Sequence, residues 1–240
     1  MIRIVLVFIA LVIFAIFSII ILPVEWIINR FNPGLRARSS QAIICFMCRL
    51  VCFLSGAKTT ITGLENLPKD EPVLYIGNHN SMFDILLTYP LMPTQTGYIA
   101  KKEVKKVFGL AQYMLFMNCL FLDRKDPKEG MKMILQAIDY IKSGISLFIF
   151  PEGTRSKDGK MNPFKEGSFK IASKTGCKIV PVAMTGTADV FENHLPFLKK
   201  SKVTIDFGKP FTISEIPEEF KKFPGQYTQG LIQEMLDSHR

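Results

Sequence analysis

Histidine is scarce in this 240-residue chain: there are three, far apart. His194 and His239 have no ligand-like companions, so no metal centre is expected. Cysteine is also sparse, at five residues. Cys45, Cys48 and Cys52 share one apolar stretch at helical spacing with no fourth ligand nearby, which favours packing over metal binding. Cys119 and Cys177 fall in expected strands, and a domain on the cytoplasmic side of a membrane gives no case for disulfides. Acidic residues are in deficit, 21 against 30 basic, for a net charge of +9. That balance suits nucleic acid, an anionic membrane surface or phosphorylated small molecules. No RNP, helix-turn-helix or zinc-finger pattern is present, so no nucleic-acid partner is expected and the other two classes take precedence. A G-x-S-x-G elbow is missing too, which removes the usual context of a hydrolase serine. There is no internal repeat and no low-complexity tract.

What the chain does have is a long apolar run at its N-terminus. Residues 4–22 (IVLVFIALVIFAIFSIIIL) carry no charge and are long enough for a membrane-embedded helix. The apolar core is too long for a cleaved signal peptide and no small-residue cleavage site comes after it, so an uncleaved anchor is expected. Trp26, Arg30, Arg36 and Arg38 lie beyond it and only Arg3 precedes it, which places the bulk of the protein on the cytoplasmic side. A second apolar stretch, residues 41–57, is broken by Arg49. It fits either an interfacial helix beside one span or the second arm of a monotopic hairpin. Residues 1–57 are therefore read as a membrane anchor and residues 58–240 as one domain with a real core.

From residue 58 the pattern alternates between strand and helix. Strands are expected at 58–63, 72–76, 119–122, 146–150, 178–184 and 202–208, and helices at 101–117, 127–144, 166–176 and 228–237. Alternation of this kind implies an α/β fold: a mostly parallel central sheet with flanking helices, carrying an N-terminal apolar helical anchor. The unusual polar clusters all come directly after strands: GNHNSMFD after 72–76, DR after 119–122, PEGTRS after 146–150 and TGT after 178–184. In an open parallel sheet, sites form beyond the carboxyl ends of the strands, so these four clusters should meet along one edge.

His79 and Asp84 stand five residues apart. In one continuous helix that separation is about 140° of rotation and about 7.5 Å of rise, too far for easy contact. A loop histidine with its aspartate in the first turn of the next helix would meet. The carboxylate would then fix the imidazole tautomer, and the nucleophile would be Ser81 or a substrate hydroxyl. Arg124, Arg155 and Lys165 supply cations at the same edge, suited to phosphate. Glu152 is placed to hold an arginine or a substrate hydroxyl, and Gly153 lets backbone amides approach an anion. Lys101, Lys102, Lys105 and Lys106 form a further basic patch on the expected 101–117 helix. It is either a solvated face or a contact for anionic headgroups or an acidic acyl carrier.

NHNSMFD with its H-x₄-D, LFLDR, FPEGTRS and IVPVAM, in that order, resemble the four blocks of the glycerolipid acyltransferases, over about residues 58–210. The likeness is strongest to the bacterial branch acting on 1-acylglycerol-3-phosphate (lysophosphatidic acid). The resemblance implies a bacterial inner-membrane enzyme, without cofactor, taking acyl-CoA or acyl carrier protein as co-substrate and membrane lipids and lysophosphatidic acid as partners. It implies His79 as the base for the sn-2 hydroxyl, Asp84 as its orienter, and direct attack on the thioester without an acyl-enzyme. Arg124, Glu152, Gly153, Thr154, Arg155 and Lys165 would hold the phosphate-bearing acceptor, and Pro181 would shape the acyl or thioester end. Asn80 departs from the family, many of whose members have glutamine there.

Overall fold

The computed structural model describes residues 1–107, 109–123, 126–156 and 159–238. Two helices open the chain: α1 (Ile2–Phe31) and α2 (Pro33–Ser55). Both are longer than the apolar runs that signal them, and each is long and apolar enough to cross a bilayer. Asn32 separates them, its side chain accepting the Leu35 N–H at 2.9 Å while Pro33 takes the first helical position. That pairing of an Asx cap with an N1 proline starts a helix where the previous one stops.

The domain beyond them is a seven-stranded sheet. In chain order its strands are β1 (Lys58–Thr62), β2 (Leu74–Gly77), β3 (Thr96–Lys101), β4 (Leu120–Leu122), β5 (Ser146–Ile149), β6 (Ile179–Thr185) and β7 (Lys202–Phe207). They lie in the order β1-β7-β6-β2-β5-β3-β4. Every neighbouring pair is parallel except β6 with β7. Side chains alternate across the central strands. Tyr75, Phe148 and Val180 enter one apolar layer, with α2, α3 (Phe83–Thr88) and α4 (Leu110–Phe116). Leu74, Leu147 and Ile179 enter the other, under α5 (Pro127–Lys142), α6 (Lys170–Thr175) and α7 (Pro224–Asp237).

Crossovers between parallel strands are right-handed, so the face on which a helix lies depends on the direction in which the chain is moving. Moving outward from β2 to β3 and β4 puts α3 and α4 on one face; returning through β5 to β6 puts α5 and α6 on the other. β2 and β5 are neighbours whose C-terminal loops depart to opposite faces, which opens a crevice at their carboxyl ends. The loops holding His79 and Arg155 border it.

Three expectations are corrected. Residues 96–101, not read as a strand, form β3 and pair with β5. The 101–117 helix is instead a 3-10 turn, Lys102–Lys106, and then α4, with Gly109 at φ +77° between them. The basic patch therefore lies at a strand end and on a turn. Cys119 and Cys177 stand just before β4 and β6 rather than within them, while Cys48 is buried in the α2 core layer with Cys45 and Cys52 packed against it. Helix α2 packs against the domain along its length: Gln41 donates to the Thr94 carbonyl at 3.5 Å, Arg49 to that of Pro90 at 3.3 Å, and Ile44 and Val51 join the core. Outer α1 keeps most of its apolar side chains exposed.

Candidate active site

β2 ends at Gly77, and Asn78 locks the chain to β6. Its amide nitrogen donates to the Met184 carbonyl at 2.9 Å while its oxygen accepts the Met184 N–H at 2.8 Å. The next residue, His79, turns its imidazole back toward α3. Nδ1 lies 2.8 Å from Asp84 Oδ2, and that oxygen also accepts the backbone N–H groups of Asn80 at 2.7 Å and Ser81 at 2.8 Å. Only Asp84 of this pair is helical, in the first turn of α3, so the loop supplies the reversal that a single helix would not. Asp84 is fully buried. A carboxylate only accepts, so Nδ1 carries the proton and Nε2 is left with its lone pair. The Phe150 ring stacks on the imidazole with centroids 4.2 Å apart, fixing its plane.

The loop after β5 holds the histidine from both sides of its backbone. Glu152 Oε1 accepts the His79 N–H at 2.6 Å, and the Ser156 N–H donates to the His79 carbonyl at 2.8 Å. Ser156 Oγ donates to Asn80 Oδ1 at 2.7 Å. The other oxygen of Glu152 accepts both the backbone and the side-chain N–H of Asn162, at 2.8 and 3.0 Å. Both oxygens of Glu152 are thus taken by His79 and Asn162, and no arginine is among its partners in the described residues; a buried carboxylate needs donors, and the nearest are mainly backbone amides. Burial raises its carboxyl above the usual 4.5, and the hydrogen bonds from Asn162 and His79 oppose that rise.

Gly153 has φ +72°, and a Cβ there would fall 2.6 Å from Lys165 Nζ. Glycine is what lets this ammonium lie against the loop. His79, Gly153, Thr154, Arg155 and Lys165 line a groove of about 640 Å³ whose wall also includes Ile85, Ile99, Leu122 and Met133. Thr154 and Arg155 also line a second groove, of about 930 Å³, together with Asn78, Asn80 and Asn193.

Ser81 is buried, donates to Glu192 Oε2 at 2.5 Å and accepts the Phe83 N–H at 2.9 Å. It serves as a local cap and makes no bond to His79 among the described residues. Arg155 Nη1 lies 2.6 Å from Glu192 Oε1. Pro181 is buried inside β6 opposite Ile76, close enough to Gly208 that a Cβ there would meet its ring at 2.7 Å, and it lines neither groove. Arg124 lies outside the described residues. Asn78, Ser156, Asn162 and Glu192 are additions that sequence reasoning misses. The first two sit inside recognised motif blocks and are open to notice; the others carry no sequence signal.

An acyltransferase family model matches residues 58–185. The chain belongs to the acyltransferase family. The matched segment runs from β1 through β6 and so contains the first three strand-end clusters and the first residue of the fourth. A chloroplastic protein of Brassica napus, named a 1-acyl-sn-glycerol-3-phosphate acyltransferase, is 41% identical over 136 residues, 55% of this chain and 39% of its own. A Borreliella burgdorferi protein of the same name is 32% identical over 149 residues, 62% of this chain and 60% of its own. The alignments thus span less than two thirds of these relatives. The crystal structure of the 1-acyl-sn-glycerophosphate acyltransferase of Thermotoga maritima superposes with a TM-score of 0.81 at 24% identity, covering 98% of this chain and 95% of that one. The α/β fold is therefore shared with a solved structure over nearly the whole of both chains.

Proposed function

We propose that the protein transfers an acyl chain from an acyl thioester to the sn-2 hydroxyl of 1-acyl-sn-glycerol-3-phosphate, giving phosphatidic acid. One observation carries this reading: the His79–Asp84 pair opens on the groove that also holds Arg155, Lys165 and a set of apolar side chains. A base, two cations and an apolar wall in one groove match a hydroxyl, a phosphate and an acyl chain in one acceptor.

His79 Nε2 accepts the proton of the sn-2 hydroxyl as its oxygen attacks the thioester carbonyl. Asp84 stabilises the imidazolium that forms. The tetrahedral intermediate collapses, the C–S bond breaks, and the imidazolium returns the proton to the departing thiolate. The bonds Ser81 makes to Glu192 and Phe83 favour attack by the substrate over an acyl-enzyme. Arg155 and Lys165 meet the acceptor phosphate; Arg124 joins them on the motif's evidence alone. The donor is acyl-CoA or acyl carrier protein, both of which present the same thioester.

The helical pair supports attachment to a membrane, where the acceptor resides. Because one face of α2 packs against the domain along its length, a bilayer enclosing the helix would also have to enclose the flank of the sheet. We therefore place the exposed apolar face of α1 in one leaflet, with the domain on the cytoplasmic side and Lys101, Lys105 and Lys106 available to anionic headgroups.

The test is thiol release from an acyl-CoA by the purified, detergent-solubilised protein, with and without lysophosphatidic acid, beside His79→Ala. Acceptor-dependent release that disappears in the variant supports the proposal. Release that persists in His79→Ala, or that ignores the acceptor, overturns it.

A further inference from the structure

Glu192 lies beyond the segment matched by the family model, in a 3-10 turn, Glu192–His194, after β6. The chain just before the turn is well held: Val190 is fully buried, and the Lys199 N–H donates to its carbonyl at 3.0 Å. From that base the Glu192 carboxylate reaches both loops of the site. Oε2 accepts Ser81 Oγ at 2.5 Å; Oε1 accepts the Met82 N–H at 2.9 Å and Arg155 Nη1 at 2.6 Å. One side chain thereby ties the start of α3 to the arginine between the two grooves.

We propose that Glu192 is a positioning residue for acceptor recognition, acting through Arg155. The inference rests on the reading that Arg155 meets the acceptor's phosphate. The Arg155 side chain is half exposed and, unbraced, would sample many rotamers that binding must then suppress. Glu192 engages only Nη1, which leaves Nη2 and Nε for a phosphate, and the guanidinium fork is presented already oriented. Immobilising one such side chain in advance corresponds to about a two- to tenfold gain in affinity.

A double-mutant cycle separates this role from a structural one. Acceptor KM, donor KM and kcat are measured by thiol release for Glu192→Ala and Glu192→Gln, each in the wild-type and Arg155→Ala backgrounds. Glu192→Ala is expected to raise the acceptor KM about two- to tenfold with kcat and donor KM within about twofold, and Glu192→Gln, which keeps one oxygen in place, to raise it less. In the Arg155→Ala background neither substitution should raise the acceptor KM further. If Glu192→Ala does not fold, the Glu192→Gln cycle decides alone. Effects that multiply in the Arg155→Ala background would overturn the proposal, as would a fall in kcat at constant acceptor KM. If Arg155→Ala itself leaves the acceptor KM unchanged, the phosphate assignment fails and the proposal with it. If Arg155→Ala raises it and the Glu192 variants do not, only the positioning role fails.

Discussion

Asp84→Asn removes a charge while leaving the shape of the site, and the structure says which way the amide must point. Asp84 Oδ2 accepts from His79 Nδ1, Asn80 N and Ser81 N, all within 2.8 Å, whereas buried Oδ1 has no hydrogen-bond partner among the described residues. Turned one way, the asparagine oxygen keeps all three donors. Turned the other way, its NH₂ would face two backbone N–H groups with nothing to accept. The first orientation wins, so His79 keeps its proton on Nδ1 and Nε2 remains the base. What is lost is the attraction between imidazolium and carboxylate. At a charge separation of about 4 Å and an effective dielectric constant of about 20 this is about 4 kcal/mol, a ceiling because the amide dipole retains part of it. A loss of about 2–3 kcal/mol lowers kcat about 30- to 160-fold. His79→Ala, which removes the base itself, should cost more, up to about 10⁴-fold. The assay is kcat by thiol release at saturating acceptor, with thermal melting as a control for folding. Wild-type turnover in a folded Asp84→Asn protein would refute the reasoning, and so would a loss as large as that of His79→Ala.

Ser81→Ala should retain turnover within a few-fold while losing about 1–2 kcal/mol of stability, because it deletes a cap and a buried hydrogen bond; abolished turnover in a folded variant would instead mark Ser81 as the nucleophile. Gly153→Ala at φ +72° should cost about 1–2 kcal/mol in backbone strain and raise the acceptor KM by displacing Lys165; an unchanged melting temperature and KM would mean that the lysine does not lie there. Burial raises the Glu152 carboxyl above its usual 4.5, so the folded chain holds that proton more tightly than the unfolded one. Its contribution to stability is full below the unfolded value and is lost as pH rises through the folded one. Glu152→Gln should therefore be most destabilising relative to wild type near about pH 4 and less so near about pH 7, read by urea denaturation; a gap that widens with pH would reverse the sign.

The parts of the molecule legible in sequence are those governed by local pattern. The runs at β2, β5 and β6 are short, apolar on both faces and capped by polar clusters, which is what burial between two helical layers requires. The His79–Asp84 contact is legible because a loop leading into a helical first turn is nearly the only way to join residues at that spacing. β3 is not legible. Residues 101–117 offer good helix formers at helical spacing, and the preceding TGYIAK carries a glycine and ends in lysine. Pairing with β5 fixes Thr96–Lys101 as a strand, and Gly109 then divides the remainder into a 3-10 turn and a short helix.

The braces of the site are the least legible part, for a different reason. Glu152 binds a backbone amide 73 residues away and Glu192 binds Ser81 across 111 residues. A backbone N–H is common to all residues but proline, so nothing in a sequence marks which one a distant carboxylate will find. A motif block records residue types that chemistry demands, and on that basis FPEGTRS reads as a row of substrate contacts. The geometry divides the row. Glu152 and Ser156 grip the two ends of the His79 residue's backbone, and Arg155 with the glycine-seated Lys165 faces the groove. A substitution at Glu152 or Ser156 should therefore move the base, and one at Arg155 or Lys165 should move the acceptor. Kinetics of the two pairs should then diverge in kcat and in acceptor KM respectively, although all but Lys165 come from one short loop.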